Sequence, residues 1–247
     1  MSVRAVHPSP TPSLLPPIYM SDGSKGGVGK SMVSLALVDS LRQRDKPVLY
    51  LETDNANADT WRLLANEGAK ENEIAMKALD FDGGDGWMDA VNFIHTYPEH
   101  TVVINMSARQ NKGIRQHGGV MLACLPKLKR ELVTLWVINR DPYCLEQLVD
   151  QFRDFKATRT HVVRNAYWGE EETFGLYNES KLRDVIEQDD GRSLTFPALA
   201  KRVALELAKQ KWTIAQALSN GKLGLGETGE LLRWRKAVHE TLAPVLS

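Results

Sequence analysis

A doubly wound α/β fold, a mostly parallel sheet with helices on both faces, is the architecture this sequence predicts, on three observations. Short, nearly continuous apolar runs alternate with longer stretches of helical pattern, and parallel strands need such crossover helices. A glycine-rich loop joins the first apolar run to the first helix. The composition is that of a folded globular chain, with 247 residues, 43% of them hydrophobic and 25% charged, and 31 Lys+Arg against 31 Asp+Glu. A chain of that length buries roughly 70–75% of its unfolded surface, and disorder would need fewer apolar residues and more net charge.

In chain order, residues 1–17 carry Pro8, Pro10, Pro12, Pro16 and Pro17. Prolines lack backbone donors, so this stretch is expected to be a mobile leader; residues 18–247 are expected to form a single domain that includes the C-terminal helices. An apolar strand at 18–20 runs through the glycine-rich loop into a helix over 31–43, where Val33, Leu35, Ala36, Leu37 and Leu41 fit a buried face. A strand at 48–51 and a helical pattern around 61–64 follow. Residues 76–79 make a poor buried strand, and the Gly/Asp cluster at 80–86 reads as an exposed turn before a helix-like segment at 87–96. Further strands are expected at 101–104, 132–138, 161–163 and 194–196, with an amphipathic helix over 144–155 and closing helices over 199–209 and 227–242. Ligands of such sheets bind beyond the carboxyl ends of the strands, so the chemistry belongs in the loops after Met20, Leu51, Ile104, Ile138, Val163 and Phe196.

Several function classes drop out. The apolar runs stop well short of the ~18 residues a membrane span needs, and no apolar signal region follows Arg4. The 2 cysteines, Cys124 and Cys144, have no zinc-site spacing, so a cytoplasmic protein is expected. Zero net charge gives no global attraction to nucleic acid. Lys127, Lys129 and Arg130, and again Arg233, Arg235 and Lys236, are either solvated helix faces or local patches for non-specific DNA contact. In the last helix Leu231, Leu232, Trp234 and Val238 alternate with those basic residues instead of segregating from them, which favours packing on the domain over membrane contact.

The loop over 23–31, Gly-Ser-Lys-Gly-Gly-Val-Gly-Lys-Ser, fits the phosphate-loop pattern G-x-x-x-x-G-K-[ST] with Ser24 in place of its first glycine. Gly26, Gly27 and Gly29 let backbone N–H groups turn inward around an anion, and the helix N-terminus adds positive potential. Val28 and Met32 complete this cradle. Lys30 would meet the β/γ-phosphates and Ser31 would place its hydroxyl on Mg2+. No N-K-x-D guanine-reading pattern occurs at Asn139-Arg140-Asp141 or Asn165, which favours ATP.

Lys25-Gly26-Gly27-Val28-Gly29-Lys30-Ser31 resembles the deviant Walker A motif of the ParA/MinD family of P-loop ATPases, and the resemblance runs from about residue 18 to 217. It implies a homodimer formed on ATP binding, in which Lys25 reaches the partner's phosphates. It implies that Asp54 positions the attacking water and faces the metal, although an N-cap role beside Asn55, Asn57 and Asp59 is open. Glu52 stands where the family has Asp. Asn105 stands where the family has its Walker B Asp; an amide can accept a hydrogen bond from metal-bound water but brings no charge, so weak metal binding and weak hydrolysis follow. Asp80 and Asp82 are rejected as substitutes. By the same resemblance Asn165 and Pro197 contact the base, with a plain turn role open for Asn165. The function implied is a switch ATPase that positions a cargo such as plasmid DNA or a transfer complex through a protein partner or adaptor. The stretch 105–109 is faintly similar to plasmid-maintenance and conjugative-transfer members. A nucleotide-binding scaffold with little hydrolysis is the alternative, supported by Asn105, and a small-molecule kinase is a third, disfavoured by Lys25.

Overall fold

Alternation along the apolar runs decides how the sheet is covered: in a strand successive side chains point to opposite faces, so a run that is apolar throughout must be buried on both. In the computed structural model, which describes residues 15–55, 58–67, 74–108, 110–157 and 159–246, the runs form β1 (Ile18–Asp22), β2 (Val48–Glu52), β3 (Ile74–Ala78), β4 (Thr101–Asn105), β5 (Leu132–Ile138), β6 (Arg159–Asn165) and β7 (Ser193–Phe196). All pairings are parallel, in the order β3-β2-β4-β1-β5-β6-β7. Most of the leader expected at 1–17, with Pro8, Pro10 and Pro12, lies outside the described residues, as do Asn57 and Arg109.

The helices are α1 (Lys30–Arg42), α2 (Asp59–Asn66), α3 (Gly84–Thr96), α4 (Asn111–His117), α5 (Gly119–Leu128), α6 (Tyr143–Asp154), α7 (Gly175–Asn178), α8 (Lys181–Gln188), α9 (Lys201–Gln210), α10 (Ile214–Ser219) and α11 (Leu225–Leu242). Tyr19, Tyr50 and Val103 point to one face and join Val33 and Leu37 of α1 and Trp234 and Val238 of α11. Ile18, Met20, Leu49, Leu51, Val102 and Ile104 point to the other and meet Trp87 and Ile94 of α3 and Met121 of α5. Leu231, Trp234, Val238 and Leu242 form the buried stripe of α11, so this helix packs on the domain. Among the described residues no helix is long and apolar enough to cross a membrane.

The structure corrects several expectations. Residues 76–78 do belong to a strand, β3, at the edge of the sheet; only Ile74 and Ala75 of it are buried, and Lys77 and Ala78 dilute the apolar signal. The segment at 80–86 is no simple exposed turn: Phe81 is fully buried, its ring 4.0 Å from that of Trp87, whose Nε1 donates to the Phe81 carbonyl at 3.1 Å. Helices α4 and α5 were not expected at all. Arg130 is no surface patch either. It is buried and donates to the carbonyls of Pro16, Tyr97, Pro98 and His100 at 2.6–2.8 Å, and burial brings its pKa down to about 10. Arg233 pairs with Glu230 at 2.7 Å, Arg235 with Asp39 at 2.7 Å and Lys236 with Glu240 at 3.8 Å, so all three of these basic residues of α11 have an acidic partner within the chain.

Candidate functional site

The order β2-β4-β1-β5-β6 brings five strand ends to one rim, and the sharp turn from β1 into α1 occupies its centre. That turn needs glycine at two positions with positive φ, Gly27 at 80° and Gly29 at 114°, a region L side chains avoid. A Cβ on Gly29 would also lie 2.3 Å from Asn165 Nδ2. Above Gly26 and Gly27 no heavy atom lies within 4 Å of a Cβ, so the loop is tight on its protein side and open outward. Side chains from two strands, from the loop itself and from helix α6 brace it. Asn165 Nδ2 donates to the Val28 carbonyl at 2.8 Å, Ser21 Oγ to the Lys30 carbonyl at 2.9 Å, and Ser24 Oγ to Cys144 Sγ at 2.9 Å.

Lys30 is 7% exposed and its Nζ donates to the Lys25 carbonyl at 3.0 Å; burial lowers its pKa, while the negative charges of Asp22 and Asp54 oppose that shift. Asp22 is an acid that sequence reasoning missed. Its Oδ1 accepts from the Gly23 N–H at 2.7 Å, its Oδ2 is buried without a partner, and burial raises its pKa to about 6 against the pull of that hydrogen bond and of Lys30. Its sequence signal was an acid ending an otherwise apolar strand just before the loop.

On the other side of β1, register sets Ser21 opposite Asn105 and Asn105 opposite Glu52. Asn105 Nδ2 lies 2.9 and 3.2 Å from the two Glu52 oxygens and 3.3 Å from Ser31 Oγ, while its Oδ1 lies 3.0 Å from Ser34 Oγ. Glu52 is fully buried, and also accepts from Tyr50 Oη at 2.9 Å and from the Asp54 N–H at 3.0 Å; burial raises its pKa. An ionised carboxylate only accepts, so Glu52 turns the N–H2 of Asn105 toward itself and Ser31. The amide oxygen that the sequence offers to metal-bound water therefore faces Ser34. Asp54 is half-buried beside this cluster.

An exposed Ser31 hydroxyl near Glu52 and Asp54 is a hard oxygen set of the kind Mg2+ uses, commonly with substrate phosphates completing its shell. Among the described residues no group of three or more His, Cys, Asp or Glu could hold a metal ion by itself. Asp80 and Asp82 are exposed beyond edge strand β3, with β2 and β4 lying between that strand and β1.

Lys25 is held in an ion pair by Asp141, in the loop after β5; the contact raises the lysine pKa and lowers that of the aspartate. Only the place of Asp141 in a strand-end loop marked it in the sequence. Met32 is partly buried in the first turn of α1. Asn165 and Phe196 are register partners, which sets Asn165 and Pro197 on adjacent strand ends. Asn165 Oδ1 accepts from the Tyr167 N–H at 3.1 Å and the Pro197 carbonyl accepts from Trp234 Nε1 at 2.8 Å, so both are engaged by protein.

The model of the CobQ/CobB/MinD/ParA nucleotide binding domain matches residues 20–173. Protein MobD of Acidithiobacillus ferrooxidans is 42% identical over 229 residues, covering 93% of this chain and 97% of its own. The MinD cell division protein of Aquifex aeolicus superposes with a TM-score of 0.53 at 14% identity, over 91% of this chain and 97% of its own. Chloroplast FtsY of Physcomitrella patens gives 0.52 at 14% identity over 75% of this chain and 60% of its own. At such identities the two structures speak to the fold alone.

Proposed function

The chain belongs to the CobQ/CobB/MinD/ParA nucleotide-binding family, and from that premise we propose that it is an ATP-driven dimerising switch that hydrolyses ATP slowly and positions a macromolecular cargo. The observation that carries this reading is the pair of lysines on one loop, Lys30 drawn into the cradle and Lys25 at its half-exposed rim. One can serve the chain's own nucleotide while the other reaches outward. Residues 18–247 act as one unit in this reading, Gly26, Gly27, Val28, Gly29 and Met32 shape the phosphate cradle, and Asn165 and Pro197 border the base.

Hydrolysis breaks the bond between the γ-phosphorus and the bridging oxygen as water attacks in line, a reaction that asks the protein mainly for positioning and charge neutralisation. Asp54 orients that water. Lys30 faces the β/γ-oxygens, and Ser31 holds Mg2+, which when bound supplies further neutralisation there. Asn105 lies behind Ser31 without charge and slows turnover. The cargo class, plasmid DNA or a transfer complex reached through a protein partner in the cytoplasm, rests on the faint resemblance of residues 105–109.

Replacing Lys30 by Ala is expected to abolish ATP binding in calorimetry, since the only lysine drawn into the loop would be gone; unchanged affinity would remove the phosphate-loop assignment. Asp54→Ala should keep binding and slow single-turnover phosphate release by about 100-fold or more. Wild-type rates in that variant would leave Asp54 as a cap. The scaffold reading is favoured by Asn105 alone, and multiple-turnover phosphate release separates it from the enzyme.

A further inference from the structure

Beneath the phosphate loop lies a carboxylate that no step of hydrolysis uses. Asp22 is the last residue of β1 and is 1% exposed. Its Oδ1 accepts from the Gly23 N–H at 2.7 Å, while its Oδ2 is buried without a partner. Gly23 also touches the stem of Lys30, since a Cβ built on it would lie 3.6 Å from Lys30 Cγ, and on its other side Asp22 adjoins Ser21, whose Oγ donates to the Lys30 carbonyl at 2.9 Å. The strand end thus brings a buried acid up to the lysine of the cradle. We propose that Asp22 is the proton acceptor of the nucleotide site, taking a proton from solvent as the ATP phosphates settle on Lys30, so that ATP binds more tightly as pH falls.

The ionised form of Asp22 is poorly held. A buried carboxylate oxygen without a donor is costly, and the orphan Oδ2 is such an oxygen. Two influences favour the charge, the Gly23 N–H and Lys30, and burial outweighs both. Of the elements around it, α1 supplies Lys30, β5 supplies Trp136 as register partner, and β4 supplies Asn105 and Met106 beside Ser21; Lys30 alone of these is charged. Asp54 and Cys144 act on Lys30, and Lys25 is held at the rim by Asp141. Phosphates arriving on Lys30 engage the one cation that steadies Asp22 and add negative charge near it, and a like charge favours the neutral acid. The complex therefore holds the proton more firmly than the free chain does, and linkage makes affinity rise as pH falls, by at most about tenfold per pH unit for one proton. The effect fades below about pH 6, where the free chain already carries the proton.

The inference rests on the nucleotide-binding reading above, and its test separates the two. Binding of ATP with magnesium is measured by calorimetry from about pH 6 to about pH 8.5, in buffer pairs with different heats of protonation, on wild type and Asp22→Asn. The variant keeps an acceptor for the Gly23 N–H and removes the charge, and the titration of ATP itself is common to both proteins. Near pH 7.5 wild type is expected to take up on the order of half a proton more than the variant, and near pH 8 the variant is expected to bind ATP about 10-fold more tightly, the gap closing toward pH 6. Infrared difference spectra on adding ATP should show a new protonated-carboxyl band in wild type, shifted when aspartate is 13C-labelled, that the variant lacks. Equal proton counts overturn the proposal, and so does a variant that binds no more tightly than wild type near pH 8. Should Asp22→Asn fail to fold, the labelled wild type decides, because absence of the aspartate band overturns the proposal by itself. If wild type binds no ATP at any pH, the nucleotide-binding reading falls and the proposal with it; if it binds ATP with none of these differences, the proposal alone falls.

Discussion

Single side chains under the loop set measurable costs. Asp22 titrates near 3.8 when unfolded and near 6 when folded, so between those values the folded chain holds the extra proton and stability falls as pH rises through that window. Above about pH 6 the full cost is present, on the order of 2–3 kcal/mol from the size of the shift. Asp22→Asn keeps an acceptor for the Gly23 N–H and removes the charge. Its Tm is expected to exceed that of wild type at pH 7.5, with the gap closing as pH falls below 4, in melts across that range. A constant gap would mean that burial of this carboxylate is not what costs. At the same scale, the motif residues Lys25, Gly26, Gly27, Gly29, Lys30 and Ser31 were legible because a phosphate loop fixes residue types at fixed spacing. Asp22, Asp141 and the contact between Glu52 and Asn105 were not, because each depends on which strands become neighbours, and a strand at position 52 carries no local sign that it will pair with one at 105.

Among the elements, the first loop and helix form the most constrained unit. Gly29 combines a φ of 114° with a Cβ position 2.3 Å from Asn165 Nδ2, so Gly29→Ala would both strain the backbone and displace the side chain that holds the Val28 carbonyl. A loss of about 2 kcal/mol or more is expected in chemical denaturation, together with weakened ATP binding; a variant as stable as wild type would show that the turn relaxes freely. The central strands were readable from sequence because burial on both faces leaves long apolar runs, as in β5. Edge strand β3, buried only at Ile74 and Ala75, has no such run. Helices α4 and α5 were missed for another reason: Gly113, Gly118, Gly119 and Pro126 punctuate them, and tertiary packing of Ile114, Met121 and Leu128 outweighs those weak helix formers.

For the whole molecule, the central claim is that nucleotide drives two chains together through Lys25. In the isolated chain Lys25 is bound to Asp141, a half-exposed pair that must open before the lysine can meet a partner's phosphates. Asp141→Asn weakens that hold and is expected to lower the ATP concentration at which dimers form by a few-fold, since exposed ion pairs contribute modestly; sedimentation across an ATP titration would show it, and an unchanged midpoint would make the pair irrelevant to assembly. The most direct measurement is solution mass by light scattering, with saturating ATP and magnesium, on wild type and Lys25→Ala. Wild type should shift from the 27.7 kDa of one chain to twice that mass, and Lys25→Ala, while still binding ATP, should stay at the mass of one chain. A wild type that remains monomeric with ATP bound, or a Lys25→Ala variant that dimerises equally well, would contradict the account.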